Sequence, residues 1–290
     1  MTLAIFYALS CSLFWAGTTI ASKNLALAMP SMVFAFLRYF IACLCLLPFV
    51  SRHECKNLTP KNIGIILFLG FSFILLFNLF FLNALYFSSA TAVTLIAAIN
   101  PVLTLLISSI IYAQIPKKSQ LLAFILSFAG VTMIITKGNF GFEVLTGNIG
   151  EFLMLGAVLS QISYALALRK INHSFTPIFL SFATGICGIL LLIPIVLNRE
   201  LFVILQQLTF SHWLSVLYVG ILGTPVGLIL YSLSIKRVGP ATTNLLIFST
   251  MPIFVGILAF FLLGERMTIW HALGGSLVIG SLVLGLRHRD

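Results

Sequence analysis

Along the chain, long unbroken apolar runs alternate with short polar interruptions. Cutting at charges, prolines and polar clusters leaves ten runs, at 3–22, 31–50, 63–86, 90–113, 119–136, 148–169, 176–197, 213–235, 240–263 and 268–286. About 20 apolar residues in helical form cross roughly 30 Å of hydrocarbon, so each run reads as a membrane helix. A membrane barrel would alternate apolar and polar positions, and these runs do not. The longest interruptions, 51–62, 137–147 and 198–212, read as loops and leave no soluble domain over. The expected fold is therefore an all-α integral membrane protein of ten transmembrane helices.

Composition agrees with that pattern. Hydrophobic types make up 60% and charged types 8% of 290 residues, with a mean hydropathy of +1.16. A soluble domain runs nearer ~45–50% and ~25%, and so few charges could not cover one. The net charge of +10 would suggest a nucleic-acid partner in a soluble chain, but its distribution gives another reason. With a cytoplasmic N-terminus, eleven Lys and Arg residues fall on inner segments and four (Lys23, Lys137, Arg199 and Arg266) on outer ones. Arg38 lies inside the second run. The positive-inside bias thus puts both termini in the cytoplasm, with the inner-membrane bilayer and not nucleic acid as the partner. The first residues lack a basic n-region and a small-residue cleavage site, so the first run reads as a retained helix. Cys11, Cys43, Cys45, Cys55 and Cys187 have neither zinc-ribbon nor thioredoxin spacing.

The two halves resemble one another. Pro30 and Pro48 bracket the second run as Pro177 and Pro194 bracket the seventh, and Pro101 interrupts the fourth as Pro252 does the ninth. Ala90, Thr91, Leu95 and Ile96 match Ala241, Thr242, Leu246 and Ile247 at the offset of that last pair, 151. Residues 1–137 and 147–290 therefore read as two five-helix repeats. Five is odd, so the second copy inserts upside down, giving an inverted repeat around a central cavity.

Individual motifs then resemble a known family. Ser-Ile-Lys-Arg-Val-Gly-Pro-Ala from Ser234, Met251-Pro252, Leu263-Gly264-Glu265-Arg266 and Gly274-Gly275 are similar to the EamA-type repeat of the drug/metabolite transporter superfamily. The first half carries a fainter copy in Ala84-Leu85-Tyr86, Ser89-Ala90, Asn100-Pro101 and Gly130-Val131. Phe14-Trp15-Ala16-Gly17 with Lys23, and Phe36-Leu37-Arg38-Tyr39-Phe40, look like the family's first two helices. The first repeat departs from the pattern, with Ala113-Gln114-Ile115 in place of a Gly-Glu-Arg triplet. The resemblance implies a ten-helix carrier that exports amino acids or small amphipathic metabolites.

The candidate chemistry fits a carrier better than an enzyme. No phosphate-binding glycine loop, metalloprotease helix or serine-hydrolase elbow occurs, and His212 and His271 have no sequence partners, so no cofactor or metal is expected. Arg38 is an intramembrane cation, which faces a cavity or a partner unless its stem snorkels to the interface. Asn78, Asn83, Asn100 and Asn244 are embedded amides that need hydrogen-bond partners, either as interhelical glue or in a binding site. Asn100 precedes Pro101 and Asn244 lies two turns before Pro252, where freed carbonyls could also meet a ligand. Trp15, Tyr164 and Tyr231 either pack or line a pathway. The candidate substrate-binding set is Trp15, Arg38, Asn78, Asn100, Tyr164, Tyr231 and Asn244.

The expected function is secondary export of amino acids or related zwitterions. A proton-coupled carrier of organic cations is the alternative within the class, and a channel-like or receptor protein the alternative outside it. Glu151, in the first turn of the sixth helix, is the one acid near a transmembrane core, which argues against cations. Gly220–Gly227 reads as close packing or a hinge. Ser276, Gly280, Ser281 and Gly285 give a small-residue face for helix contact, within the fold or in a homodimer.

Overall fold

The computed structural model describes residues 2–111, 118–137, 148–171, 174–197 and 199–286. Among them the fold is all helical. The first rods are α1 (Thr2–Ala28), α2 (Ser31–Leu46) and α3 (Pro60–Phe87), followed by α4 (Ala90–Ala97), α5 (Asn100–Ile111) and α6 (Lys118–Thr136). The second half opens with α7 (Ile149–Ile171), α8 (Pro177–Val196) and α9 (Arg199–Gln207). Seven described helices are long and apolar enough to cross a membrane, and three shorter apolar ones lie at Ala90–Thr104, Leu121–Thr136 and Ile269–Ser281.

Helical hydrogen bonding then continues from Phe210 through Leu263, which joins two of the predicted runs. The chain nonetheless reverses inside that stretch. Ser234 Oγ lies 3.0 Å from Thr243 Oγ1, whereas nine residues of straight helix span about 13.5 Å. The two arms, α10 (Phe210–Ser234) and α11 (Leu246–Leu263), both pack on α1. Cys11 Sγ donates to the Gly227 carbonyl of one arm, and Ser12 Oγ to the Ile247 carbonyl of the other. The last helix is α12 (Ile269–Leu286).

Local chemistry explains the breaks. α4 stops at Ala97 because the Pro101 ring cannot share a helix with the carbonyl four residues back. The run expected as one helix is therefore two, whereas Pro252 sits inside α11 without ending it. Two expected loops also hold short helices. Residues Arg52–Asn57 form a 3-10 turn, and α9 lays Leu201 into the core while Phe202 and Val203 stay exposed. Nine amphipathic residues that open on Arg199-Glu200 and close on Gln206-Gln207 are too few to register as an apolar run.

Gly264 ends α11 in the left-handed region (φ +67°), with the Glu265 N–H returning to the Ala259 carbonyl at 3.1 Å. This turn carries the Glu265 carboxylate to the start of α4. There it accepts from the Ala90 N–H (2.8 Å), the Thr91 N–H (3.1 Å) and the Thr91 hydroxyl (2.9 Å). The first half has a counterpart in Glu54, which accepts from the Thr176 N–H (2.5 Å) and hydroxyl (2.8 Å) at the start of α8. Both acids place negative charge at a helix N-terminus, where the exposed N–H groups hold it.

Candidate substrate cavity

The helices leave a narrow cavity of about 70 Å³ near their midpoints. α1 contributes Trp15, Thr18 and Thr19, one face of successive turns, and α2 contributes Arg38. α3 supplies Phe73, Phe77 and Phe81, stacked on one another at 5.1 and 5.3 Å between centroids. Ala97 of α4, Met154 and Gln161 of α7, Gly223, Thr224 and Leu228 of α10, and Phe248 and Met251 of α11 complete the wall. Side chains from both halves of the chain thus meet in one space.

Two π-helical segments shape it, Gly70–Phe77 within α3 and Tyr218–Val226 within α10. Such bulges free backbone carbonyls and recur at functional sites. In each, a polar side chain covers the carbonyl five residues back. Asn78 Nδ2 donates to the Phe73 carbonyl (3.0 Å) and also to that of Ile74 (3.0 Å), and Thr224 Oγ1 donates to the Val219 carbonyl (2.9 Å). The glycines of the second segment are sites of close approach. A Cβ at Gly223 would strike the Thr18 hydroxyl, one at Gly220 the Ile41 side chain, and one at Gly227 the Trp15 ring.

Arg38 does not snorkel. It is 7% exposed and lines the cavity, with its Nε donating to Thr224 Oγ1 at 2.7 Å and its guanidinium 5.3 Å from the Tyr39 ring centroid. Trp15 also lines the space, and Tyr231 stands behind it with ring centroids 5.5 Å apart. Tyr164 likewise backs the wall, stacked on Phe73 at 4.4 Å. Asn100 is one step removed, since its Nδ2 donates to Gln161 Oε1 (3.1 Å), the group that reaches the cavity. Asn78 faces its own helix and the Tyr39 hydroxyl (3.4 Å) instead of the cavity. Asn83 pairs with Ser31, away from the cavity. The side chain of Asn244 lies outside the described residues, as does the Ala113-Gln114-Ile115 departure.

Sequence reasoning missed Thr18, Thr19, Gln161 and Thr224. Gln161 was visible as a lone amide inside an apolar run, and Thr224 as the polar member of the glycine-rich stretch.

Three of the described acids sit at helix ends. Besides Glu54 and Glu265, Glu151 accepts from Ser88 Oγ (2.9 Å) and lies 3.9 Å from Lys137 Nζ. Lys23 donates to the carbonyls of Leu85 (2.5 Å) and Ser88 (2.7 Å), where α3 ends and leaves them unpaired. Among the described lining residues there is no acid, and Arg38 is the sole cation.

The model of the EamA-like transporter family matches residues 2–136 and again 148–287. The chain belongs to that family. Among its relatives, the uncharacterized transporter YyaM of Bacillus subtilis (strain 168) is 25% identical over 225 residues, 77% of this chain and 73% of that one. The uncharacterized transporter YetK of the same organism is 22% identical over 272 residues, 92% of this chain and 81% of the other. An uncharacterized transporter of Clostridium kluyveri is 24% identical over 290 residues, covering 96% and 91%. One solved crystal structure superposes with a TM-score of 0.66 at 17% identity, over 99% of this chain and 97% of that one, a likeness of fold alone. This EamA-family protein is accordingly a multi-pass membrane transporter.

Proposed function

We propose that this EamA-family protein is a secondary carrier that exports a small amphipathic, amino-acid-like metabolite across the inner membrane, with both termini in the cytoplasm. Its architecture is ten membrane helices in two inverted repeats, 1–137 and 147–290. The observation that carries this reading is the mid-bundle cavity, where rings, hydroxyls, an amide and a guanidinium from both halves converge. Binding near the midplane between repeats is what alternating access requires. At about 70 Å³ the cavity has room for water but not for a metabolite, so loading needs the lining helices to move.

Reciprocal packing supports the inverted repeat. The π segment of α3 packs on α8, and that of α10 packs on α2, as exchange of the halves demands. α6 and α12 cross at Gly130 and Gly274, and a Cβ built on either would meet the carbonyl oxygen of the other at 2.5 Å. Self-complementary contact of this kind is what a two-fold axis between the halves would produce. Lack of a carboxylate among the described lining residues weighs against the cation carrier.

The deciding experiment is counterflow in proteoliposomes, using purified protein and a panel of labelled amino acids. Transient uptake driven by an opposing unlabelled gradient supports a carrier. Unlimited conductance indicates a pore instead, and the reading then fails.

A further inference from the structure

We infer that Arg38, positioned by Thr224, forms a carboxylate subsite, and that the amine of an amino-acid-like solute is dispensable for binding. This rests on the carrier reading above and names the group that the cavity selects. The guanidinium is buried within the helix bundle and lines the cavity, and no acid stands among the described residues that line it. Among the described residues the guanidinium is engaged through Nε, by Thr224 Oγ1 at 2.7 Å. That hydroxyl is itself fixed, because it donates its proton to the Val219 carbonyl in the π segment. Tyr39 supports the guanidinium plane from one side at 5.3 Å. The cation is thus held by its Nε edge in the cavity wall, and the subsite assigns its two terminal nitrogens to the solute.

Two parallel N–H groups of this kind match the two oxygens of a carboxylate, each at ~2.7–2.9 Å. An uncompensated buried cation is unfavourable, and a bound anion relieves it. A monoanion makes the occupied cavity neutral, whereas a zwitterion leaves it positive and a cation doubles the charge. No acid among the described lining residues would balance the ammonium of a zwitterion, and Gln161 Oε1 already accepts from Asn100 Nδ2 at 3.1 Å. Phe73, Phe77 and Met251 then accommodate an apolar tail. The chemical class is an organic monocarboxylate with an apolar body.

Trp15 in the cavity wall provides the reporter. Trp213→Phe and Trp270→Phe together leave it as the single tryptophan. The full chain in detergent is titrated with two matched sets, L-leucine, 4-methylpentanoate and 3-methylbutylamine, then L-phenylalanine, 3-phenylpropanoate and 2-phenylethylamine. The expected result is that the carboxylates of at least one set change Trp15 emission as tightly as the amino acid or more so, while its amine does not. Arg38→Gln should weaken that response about 10–100-fold, the worth of a hydrogen-bonded charge. Arg38→Lys should restore part of it, which separates a lost charge from a lost fold, and size-exclusion profiles of both variants check folding. Binding of the amines, indifference to Arg38→Gln in a folded variant, or silence toward every carboxylate overturns the subsite. If amines bind and show counterflow, the carrier reading stands without the subsite. If carboxylates bind through Arg38 without counterflow, the subsite stands and the carrier reading falls.

Discussion

The crossing of α6 and α12 allows a perturbation whose size can be worked out beforehand. Gly274→Ala places a Cβ 2.5 Å from the Gly130 carbonyl oxygen and 2.7 Å from Ile134 Cγ1. Carbon and carbonyl oxygen come no closer than about 3.3 Å in comfortable contact, so the helices must part by about 0.8 Å. Neither neighbour can yield cheaply, because one is backbone and the other a buried β-branched side chain. A gap of 0.5–1 Å forfeits roughly a quarter to a half of each dispersion contact along the seam. Overpacking of this kind costs about 1–3 kcal/mol, which lowers the melting midpoint by roughly 2–10 °C. The control lies on the same helix, since a Cβ at Gly280 meets nothing within 4 Å and its alanine should be neutral to slightly stabilising. Because Gly130→Ala opens the same seam, the double variant should cost less than the sum of the singles. Heating the detergent-solubilised protein and following the monodisperse peak measures all four. Equal midpoints for Gly274→Ala and Gly280→Ala would refute the reasoning.

Three further outcomes follow. Glu265→Ala strands the Ala90 and Thr91 amides at the start of α4 and should cost about 1–2 kcal/mol by the same assay, while Glu265→Gln, which keeps an acceptor, should cost less. Cysteines introduced at Ser119 and after Asp290 should be shielded from an impermeant thiol reagent in intact cells, and one at Asn139 should react; outside labelling at the C-terminus would reverse the topology. In the counterflow assay, Glu151→Gln should keep at least partial transport while Trp15→Ala and Asn244→Ala impair it more, with folded yield measured for each; abolition by Glu151→Gln alone would favour proton-coupled cation transport.

The helix runs were legible because lipid demands them. Twenty apolar residues leave a clear mark, and Pro30, Pro177 and Gly264 punctuate it by chemistry that depends on the local chain alone. The reversal between Ser234 and Thr243 was likewise readable from the charges and proline between two apolar runs. Arg38 and Trp15 were readable as candidates to line a cavity, one by its charge and the other as an aromatic ring on a membrane helix, and both do line it. Tyr164, Tyr231 and Asn100 were harder, because each acts through a neighbour and no spacing rule reveals a ring behind a ring. α9 escaped notice because its amphipathic face is only two turns long. Proline chemistry allows a break at both Pro101 and Pro252, and nothing in the residue type says which of the two helices ends there.

Asn78 illustrates why an embedded amide resists assignment from sequence. In lipid an unmet carbonyl is costly, so a π segment survives only where something donates to it. Asn78 supplies that donor in α3 and Thr224 supplies it in α10, each five residues beyond the carbonyl it covers. By sequence type one looks like a ligand-binding amide and the other like an ordinary helix hydroxyl. In the fold they do the same backbone work, and their second contacts lead toward neighbouring residues of α2. Asn78 donates to the Tyr39 hydroxyl, and Thr224 accepts from Arg38. The irregular turns of both halves thus bear on one short stretch of α2, and the guanidinium in the cavity inherits its position from them. The α10 segment holds Arg38 directly through Thr224, which ties the shape of that wall to the charge that the solute meets.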